Sequence, residues 1–421
     1  MPTNVAREQG RRLGALAMAV VLVAAVLCAC AVAGCASSQS EDTYTIGVAV
    51  YDPTDPEMQM FYDYYTDYIA ESFPVKFIIS NELSSYSDEE NFIQKMKNRG
   101  AQAIISFYVT DLEKTVAACE ENEIYLVLGS SSISDSEYEA VKDNEWFLGV
   151  IGPDSDEEYD AGYKMAQNFV NEGAMSYLIT SGGAVGTTNY MHYTRAVGML
   201  TALQDDLGLT YSASIEELAA TSTLVTETCE TDYGTVSITI SPWYFALEDG
   251  MSNLQAAFDA ADYDALLSVC SISDALEAIE EETANSSTEM LVGTIDCFSE
   301  ENYEAVETVD ANGNSLLNYV KGKYASMVAP AFVAALNAVT GHADVVKPDG
   351  EAFRLYQPYW TAASRAEYEE LYSYTQSIYE NAYSADDLMD VIAIYNEDAN
   401  FEAFQELTES SDQTSVSARL G

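Results

Sequence analysis

The stretch TIGVAVYDPTDP, Thr45 to Pro56, begins a regular alternation of short apolar runs and amphipathic segments. Residues 45–50 are an apolar run typical of a buried strand, and the amphipathic residues from about 57 to 71 predict a helix. Apolar runs at 75–79 and 101–107 repeat the pattern, with a second helical stretch between them. Strand, helix and strand at this spacing predict right-handed crossovers within a parallel sheet.

The alternation continues and then restarts near Met175. Apolar runs complete a first set of strands and supply a second set, at 124–128, 146–151, 175–180, 236–240, 265–269, 290–295 and about 316–320. The sequence therefore predicts an α/β protein with two doubly wound parallel-sheet lobes in tandem. Two segments depart from the pattern. The polar residues 212–235 predict an irregular insertion, and residues 368–406 predict acidic helices that lead into a polar tail.

The composition is that of a folded and very acidic protein. The chain has 421 residues, 48% of them hydrophobic, and a formal net charge of −52. A surface this negative repels phosphate backbones and disfavours nucleic-acid binding. The sequence contains 2 histidines, so a His-rich metal site is excluded and any His-based triad would need His192 or His342.

The N-terminal residues are typical of an export signal. Arg7, Arg11 and Arg12 precede an uncharged apolar run over residues 13–34. Val32-Ala-Gly-Cys35 resembles the bacterial lipoprotein signal, in which the cysteine receives lipid and becomes the new N-terminus. We therefore expect residues 1–34 to be removed, Cys35 to be lipidated and residues 35–43 to form a flexible linker on the outer face of the cell membrane. An uncleaved anchor helix is the alternative, because the run is long enough to span a bilayer.

Four other cysteines would remain in the mature chain, too few for a disulfide scaffold. Cys270 and Cys297 end neighbouring predicted strands. Three alternatives stay open for them: a disulfide between the two, a position lining the cleft, or buried free thiols. Without a Cys-x-x-Cys pair we expect no structural metal. Asp residues at strand ends could form an acidic site for a cation, but such residues also cap helices, and we favour capping everywhere except at Asp296.

Several segments resemble the type I periplasmic-binding-protein family, the solute-binding subunits of ABC importers. These segments are Asp55-Pro56 before the first helix, Gly100–Phe107, Ile124–Ser130, Gly149–Met165 with Ala161-Gly162, Arg195-x-x-Gly198, Tyr263–Leu267 and Val292-Gly-x-x-Asp296. The similarity covers roughly Tyr44 to Thr361. Their order and spacing carry the resemblance, since no single segment is specific.

The resemblance implies a ligand cleft between two lobes that are linked by three crossovers and close by a hinge. We predict a first lobe from residues 44–153 plus 297–350 and a second lobe from residues 154–296 plus 351–365. Residues 366–421 would form an acidic helical extension. Ligands of open α/β sheets bind beyond the carboxyl ends of the strands. The residues predicted there to contact ligand are Tyr51, Asp52, Asp55, Ser106, Phe107, Ser130, Asp154, Tyr193, Trp243, Ser271 and Asp296.

The chain departs from the family's sugar binders at several of these positions. Gly129-Ser130 stands where they often carry Asp-Arg, and Tyr193 stands where a second arginine aligns. Cys270-Ser271 replaces an Asn-Asp, and the usual Gln falls near Gly322. Without arginine clamps, capture of an ordinary pentose or hexose loses its main donors, and the remaining aromatics and carboxylates favour a neutral ring compound, a nucleoside or a cation instead.

We therefore predict a non-enzymatic, monomeric solute-binding lipoprotein that delivers a small polar molecule to an ABC permease and needs no cofactor. A ligand-sensing module for a membrane receptor is the alternative. An enzyme is disfavoured because no nucleophile motif occurs. The glycine-rich residues 180–186 lack the lysine of a phosphate-binding loop.

Overall fold

The structure is a computed structural model that describes residues 43–182, 190–242, 250–285, 289–309, 313–376 and 382–420. Residues 44–421 form one compact unit. The strands are β1 Tyr44–Ala49, β2 Val75–Ile79, β3 Ala103–Ser106, β4 Tyr125–Leu128, β5 Phe147–Gly152, β6 Ser176–Ser181, β7 Val225–Thr231, β8 Gly234–Pro242, β9 Ala265–Ser268, β10 Leu291–Cys297, β11 Tyr319–Lys323, β12 Phe353–Tyr356 and β13 Trp360–Ala362.

The α-helices of eight or more residues cover the sheets and the C-terminal region. They are α1 Pro56–Asp63, α2 Tyr86–Asn98, α3 Leu112–Asn122, α4 Ser155–Asn171, α5 Tyr190–Leu207, α6 Gly250–Ala260, α7 Leu276–Asn285, α8 Glu300–Glu307, α9 Ala329–Val339, α10 Arg365–Gln376, α11 Phe401–Glu409 and α12 Gln413–Leu420. Shorter helices lie at Asp135–Val141, Ile215–Ala219 and Ala385–Asp390. The helix α1 continues as a π-helical stretch over Tyr64–Ile69.

Two sheets of similar topology form the two lobes. The first has the strand order β12-β5-β4-β3-β1-β2, and all of its pairs are parallel. The second has the order β13-β11-β10-β9-β6-β8-β7, with antiparallel pairing only at its two edges. Five neighbouring strands therefore occur in the same relative order in both sheets. This confirms the predicted fold of two doubly wound lobes.

The chain passes between the lobes three times, and the second passage lies later than predicted. The three passages occur after β5, after β11 and between β12 and β13. Residues 297–309 and 313–323 end β10 and form α8 and β11, so they belong to the second lobe, where we had predicted the first. The strand β12 pairs with β5 in the first sheet, so residues 353–356 belong to the first lobe, where we had predicted the second. An apolar run identifies a strand but not the sheet that it joins, and this is why the boundaries were wrong.

The segment predicted to be irregular, residues 212–235, contains a short helix and β7, which pairs antiparallel with β8. Its Thr/Glu alternation places Glu227 and Cys229 inward and their neighbours outward, which is the period of an edge strand. The predicted polar tail likewise ends in the helix α12. The four cysteines 119, 229, 270 and 297 are buried free thiols, so Cys270 and Cys297 are not joined by a disulfide.

The C-terminal extension packs against both lobes. In the second lobe the Tyr303 and Tyr372 rings stack with centroids 4.6 Å apart, and in the first lobe Phe404 meets Phe353 edge-on. The rings of Tyr324 and Trp360, which lie at two of the crossovers, stack at 3.8 Å.

Residue Ser411 of the extension contacts both of these crossover side chains. Its carbonyl oxygen accepts from Trp360 Nε1 at 3.0 Å, and its hydroxyl bonds the Tyr324 hydroxyl at 2.7 Å. The extension therefore packs directly on two of the crossovers.

Candidate functional site between the lobes

The carboxyl ends of β1, β10 and β11 bring charged side chains of the two lobes together. After β1, Asp55 caps the helix α1 by accepting from the backbone N–H of Glu57 at 2.9 Å and of Met58 at 3.2 Å. This cap fixes Glu57 in the first helical turn, where the helix dipole favours a carboxylate. From the second lobe, β10 presents Asp296 and Cys297, and β11 ends at Lys323.

An ion pair joins the two lobes at this point. Lys323 Nζ lies 2.8 Å from Glu57 Oε1, and the two side chains are only 11% and 16% exposed. Oxygen and sulfur atoms of Glu57, Asp296 and Cys297 lie within 4.8 Å of one another. The rims of the two lobes therefore meet through charged groups that have little contact with water. We call Tyr51, Asp55, Glu57, Asp296 and Lys323 the cleft cluster.

The cleft cluster holds more negative than positive charge, and its carboxyl groups influence one another. Burial, assisted by the nearby Glu57 and Asp55 carboxylates, raises the pKa of Asp296 to about 6. Hydrogen bonds from Asn302, whose Nδ2 lies 2.7 Å from Asp296, and from Ser271 act in the opposite direction. Burial also raises the pKa of Glu57, against the attraction of Lys323.

The hydroxyl of Tyr51 completes the cleft cluster. Burial and then the neighbouring carboxylates of Glu57 and Asp55 raise the pKa of Tyr51. The Tyr51 ring lies 6.3 Å from the ring of Tyr108. The site thus offers carboxylate acceptors, one ammonium group and aromatic surface, which suit a ligand with hydroxyl or amine groups.

A metal ion is a poor occupant of this arrangement. Glu57 is already paired with Lys323, and burial raises the pKa of the Cys297 thiol, which disfavours the thiolate that a metal would need. We propose no metal site here.

The structure brings four of the predicted ligand residues together: Tyr51, Asp55, Ser271 and Asp296. Asp154 caps α4, as its position at a strand end suggested, by accepting from the Glu157 N–H. Asp52 accepts from the N–H and the hydroxyl of Thr54 in a local turn.

The other predicted residues have varied surroundings. Ser106 is buried, and its hydroxyl donates to the Tyr108 carbonyl oxygen at 2.7 Å. Phe107 stacks on Phe61 at 5.0 Å, while Ser130 adopts a positive φ of 50°. Tyr193 is half-buried on α5. Trp243, Cys35 and most of the glycine-rich stretch 180–186 lie outside the described residues, and the ligand roles of the whole set stay predictions.

Sequence reasoning did not assign Glu57, Lys323 and Asn302 to the site. Glu57 and Lys323 are separated by 266 positions, so no local pattern links them. Their positions in the predicted elements could have identified these two residues, because Glu57 follows the Asp55 cap and Lys323 is the final residue of the last strand before a crossover.

Behind the cleft cluster, Arg195 is a buried structural centre. Its guanidinium lies 2.6 Å from Glu158, 2.7 Å from the Val269 carbonyl oxygen and 3.0 Å from the hydroxyl of Tyr359 in the third crossover. The helices α4 and α5 cross closely here, since a Cβ at Gly162 would overlap the Arg195 carbonyl oxygen. This explains the Ala-Gly and Arg-x-x-Gly motifs as packing features.

The two lobes, three crossovers and facing strand ends define the fold of type I periplasmic binding proteins. A galactofuranose-binding protein superposes with a TM-score of 0.54 at 14% identity, covering 79% of this chain and 98% of the other. A periplasmic solute-binding protein from Actinobacillus succinogenes with bound D-allose gives 0.55 at 12% identity, with coverages of 78% and 100%. The arabinose-transporter binding protein from Shewanella sp. ANA-3 gives 0.51 at 15% identity, with coverages of 79% and 95%.

At the level of sequence, no protein-family model and no curated protein matches this chain. The structural likeness therefore establishes the fold alone. Within the described ranges, none of the helices combines the length and apolar character needed to cross a bilayer.

Proposed function

We propose that this chain is an extracytoplasmic solute-binding lipoprotein that captures a small polar molecule, a sugar or a nucleoside-like compound, between its lobes and delivers it to an ABC importer. The observation that carries the proposal is the cleft cluster. Hydrogen-bonding groups from both lobes, of which Lys323 is buried and the others are half-buried, meet there, at the strand ends where open α/β sheets bind ligands. The structural neighbours, which include galactofuranose- and allose-binding proteins, support this class of ligand.

Binding to the cleft predicts that solute affinity depends on Asp296. A thermal-shift screen of sugars, nucleosides and amines identifies the solute, because bound ligand adds about 2.7 kcal/mol of stability at a hundredfold excess over Kd. We expect Asp296→Asn to weaken binding by about tenfold or more, since a hydrogen bond to a charged group contributes about 1.5–3 kcal/mol. Isothermal titration measures the change.

The matched control is Glu121→Gln, which removes the same charge from an exposed position on α3. It should leave the affinity unchanged. Equal affinity in Asp296→Asn and in the wild type would show that the solute does not use the cleft cluster. If no compound of these classes gives a shift, the proposed ligand class is wrong.

We also propose that the mature protein is a monomer anchored to the membrane by lipid on Cys35. Two acyl chains anchor firmly, because each buried CH₂ contributes about 0.8 kcal/mol. Cys35→Ala should abolish incorporation of labelled fatty acid in cells and release the protein from the membrane fraction. Continued membrane association without label would favour the uncleaved anchor helix.

A further inference from the structure

Three basic side chains lie together at one edge of the first lobe. Lys76 lies on β2, Lys95 lies in the last turn of α2, and Arg99 directly follows that helix. Lys76 and Arg99 are exposed, and Lys95 is half-buried. Among the described residues these three form no ion pair, whereas every other lysine and arginine there, apart from the buried Lys347, is paired with a carboxylate. We call Lys76, Lys95 and Arg99 the basic patch.

The side chain of Lys76 lies on the sheet face that α2 covers. Met96 of α2 packs on Gly47 of β1 so closely that a Cβ at Gly47 would meet the Met96 side chain at 2.9 Å. Thr45 faces the same side, because side chains two residues apart in a strand share a face. Lys76 is the register partner of Thr45 on the edge strand β2, so it faces this side too.

The helix α2 directs its cations to two flanks. Met96 faces the sheet, and each neighbouring position on a helix is turned by about 100°. Lys97 extends to one flank, where its Nζ lies 3.1 Å from Glu123 at the end of α3. Lys95 and Arg99, four residues apart and on a shared face, lie on the other flank, toward β2. The basic patch is therefore continuous from α2 to the edge of the sheet.

The dipole of α2 explains only part of this charge. Cations are favoured near the carboxyl end of a helix, which accounts for Lys95 and Arg99. Lys76 belongs to a strand and gains nothing from that dipole. The whole chain has a net charge of −52, and these cations are left without a carboxylate of their own. Their collection at one edge indicates an external partner of negative charge.

The preceding chain joins the folded unit at the same edge. Thr43 is exposed and directly precedes β1. Lys76 on β2 is the register partner of Thr45 on one side of β1. On the other side, the N–H of Gln102, three residues after Arg99, donates to the Thr45 carbonyl oxygen. The basic patch therefore borders the point where the chain enters β1.

A lipid on Cys35 would keep this edge close to the membrane. Residues 36–43 separate Cys35 from β1, and even a fully extended chain of that length spans at most about 30 Å. Anionic lipids give a membrane a negative surface potential, which repels a chain of net charge −52 and attracts lysine and arginine. These forces act within about 8 Å at physiological salt, so the residues nearest the tether matter most.

We propose that the basic patch is a contact surface for anionic lipid headgroups, and that it orients the tethered protein with this edge of the first lobe toward the bilayer. The proposal rests on the lipid anchor proposed above and adds an electrostatic contact to it. Charge complementarity identifies the partner, and the point where the tether joins β1 explains why the patch lies at this edge.

The test uses a form of the protein that begins at Cys35 and is coupled through this thiol to maleimide lipid in vesicles. The other four cysteines are buried, so they should not couple. The vesicles contain phosphatidylcholine alone or with about 30 mol% phosphatidylglycerol. Hydroxyl-radical oxidation, measured by mass spectrometry, compares Tyr44 beside the patch with Tyr233, which is 72% exposed at the amino end of β8 in the second lobe. We expect anionic vesicles to lower Tyr44 oxidation by about threefold and to leave Tyr233 unchanged.

The variant Lys76→Gln/Arg99→Gln should lose most of this difference between the two kinds of vesicle. The matched control Lys114→Gln/Lys164→Gln removes the same charge from exposed lysines that are paired with aspartates, and it should keep the difference. Salt at about 1 M shortens the screening length to about 3 Å and should also abolish the difference.

Equal oxidation of Tyr44 on both kinds of vesicle would overturn the proposal. A difference that persists in Lys76→Gln/Arg99→Gln would do the same. If the control variant loses the difference as well, the attraction comes from overall charge and not from the patch. Because the lipid is attached chemically, none of these results depends on whether cells modify Cys35. Incorporation of labelled fatty acid tests that step separately, so failure of the patch and failure of the anchor are distinguishable.

Discussion

Replacing Arg195 by methionine should lower the free energy of unfolding by about 3–5 kcal/mol, the loss expected when one partner of a buried ion pair is removed. The side chains of Arg195 and Glu158 are 5% and 4% exposed, so the change leaves the Glu158 carboxylate buried without its cation. The Val269 carbonyl oxygen and the Tyr359 hydroxyl lose a donor as well. Urea denaturation followed by circular dichroism measures the loss.

The matched control is Lys97→Met, which removes the cation of an ion pair with Glu123 whose side chains are 43% and 72% exposed. An exposed pair contributes at most about 1 kcal/mol, so this variant should stay close to the wild type. Adding Glu158→Gln to Arg195→Met should restore part of the stability, because the buried unpaired charge is then gone. A loss from Arg195→Met no larger than that from Lys97→Met would contradict the structural role of this residue.

Replacing Asp296 by asparagine should change how stability depends on pH. Burial and the neighbouring carboxylates raise the pKa of Asp296 from 3.8 to about 6. Between these values the folded chain binds more protons than the unfolded chain, so this group's contribution to stability falls as the pH rises and is constant above about 6. Relative to the wild type, Asp296→Asn should therefore gain about 2 kcal/mol in unfolding free energy between pH 4 and pH 7.

Denaturation of both proteins without ligand, at closely spaced pH values, gives the difference directly. Other titrating groups largely cancel in that difference. The control is Asp111→Asn, since hydrogen bonds and the charge of Lys114 lower the pKa of the exposed Asp111 carboxyl, and its effect should be opposite in sign and smaller. A difference that is flat between pH 4 and pH 7 would show that Asp296 titrates normally and is not buried in the cleft cluster.

The elements that the sequence predicted well are those set by local patterns. The apolar runs around Ile46, Ile105 and Leu178 became buried parallel strands because a strand covered on both faces requires continuous apolar residues. Capping positions were equally local, and Asp55, Asp111 and Asp154 all begin helices. A ligand role for Asp296 was expected from its place in the order of motifs and stays a prediction, while the structure places Asp55 and Glu57 near it.

The predictions that failed or fell short depended on contacts between distant residues. The strands β11 and β12 join their sheets through their pairing partners β10 and β5, and no pattern within either strand predicts which sheet it joins. The ion pair of Glu57 with Lys323 and the packing of Ser411 on two crossovers also depend on contacts between residues far apart in the sequence.

The sequence by itself determined the two-lobed α/β class, the strand ends at which to look for a site and the acidity of the whole surface, because periodicity, capping and charge are properties of neighbouring residues. The tertiary structure alone decided which carboxylates lose contact with water and which cation lies beside them. It also decided where the chain changes lobe. Burial and pairing arise only when segments hundreds of residues apart pack together, and this is why they could not be predicted from local sequence.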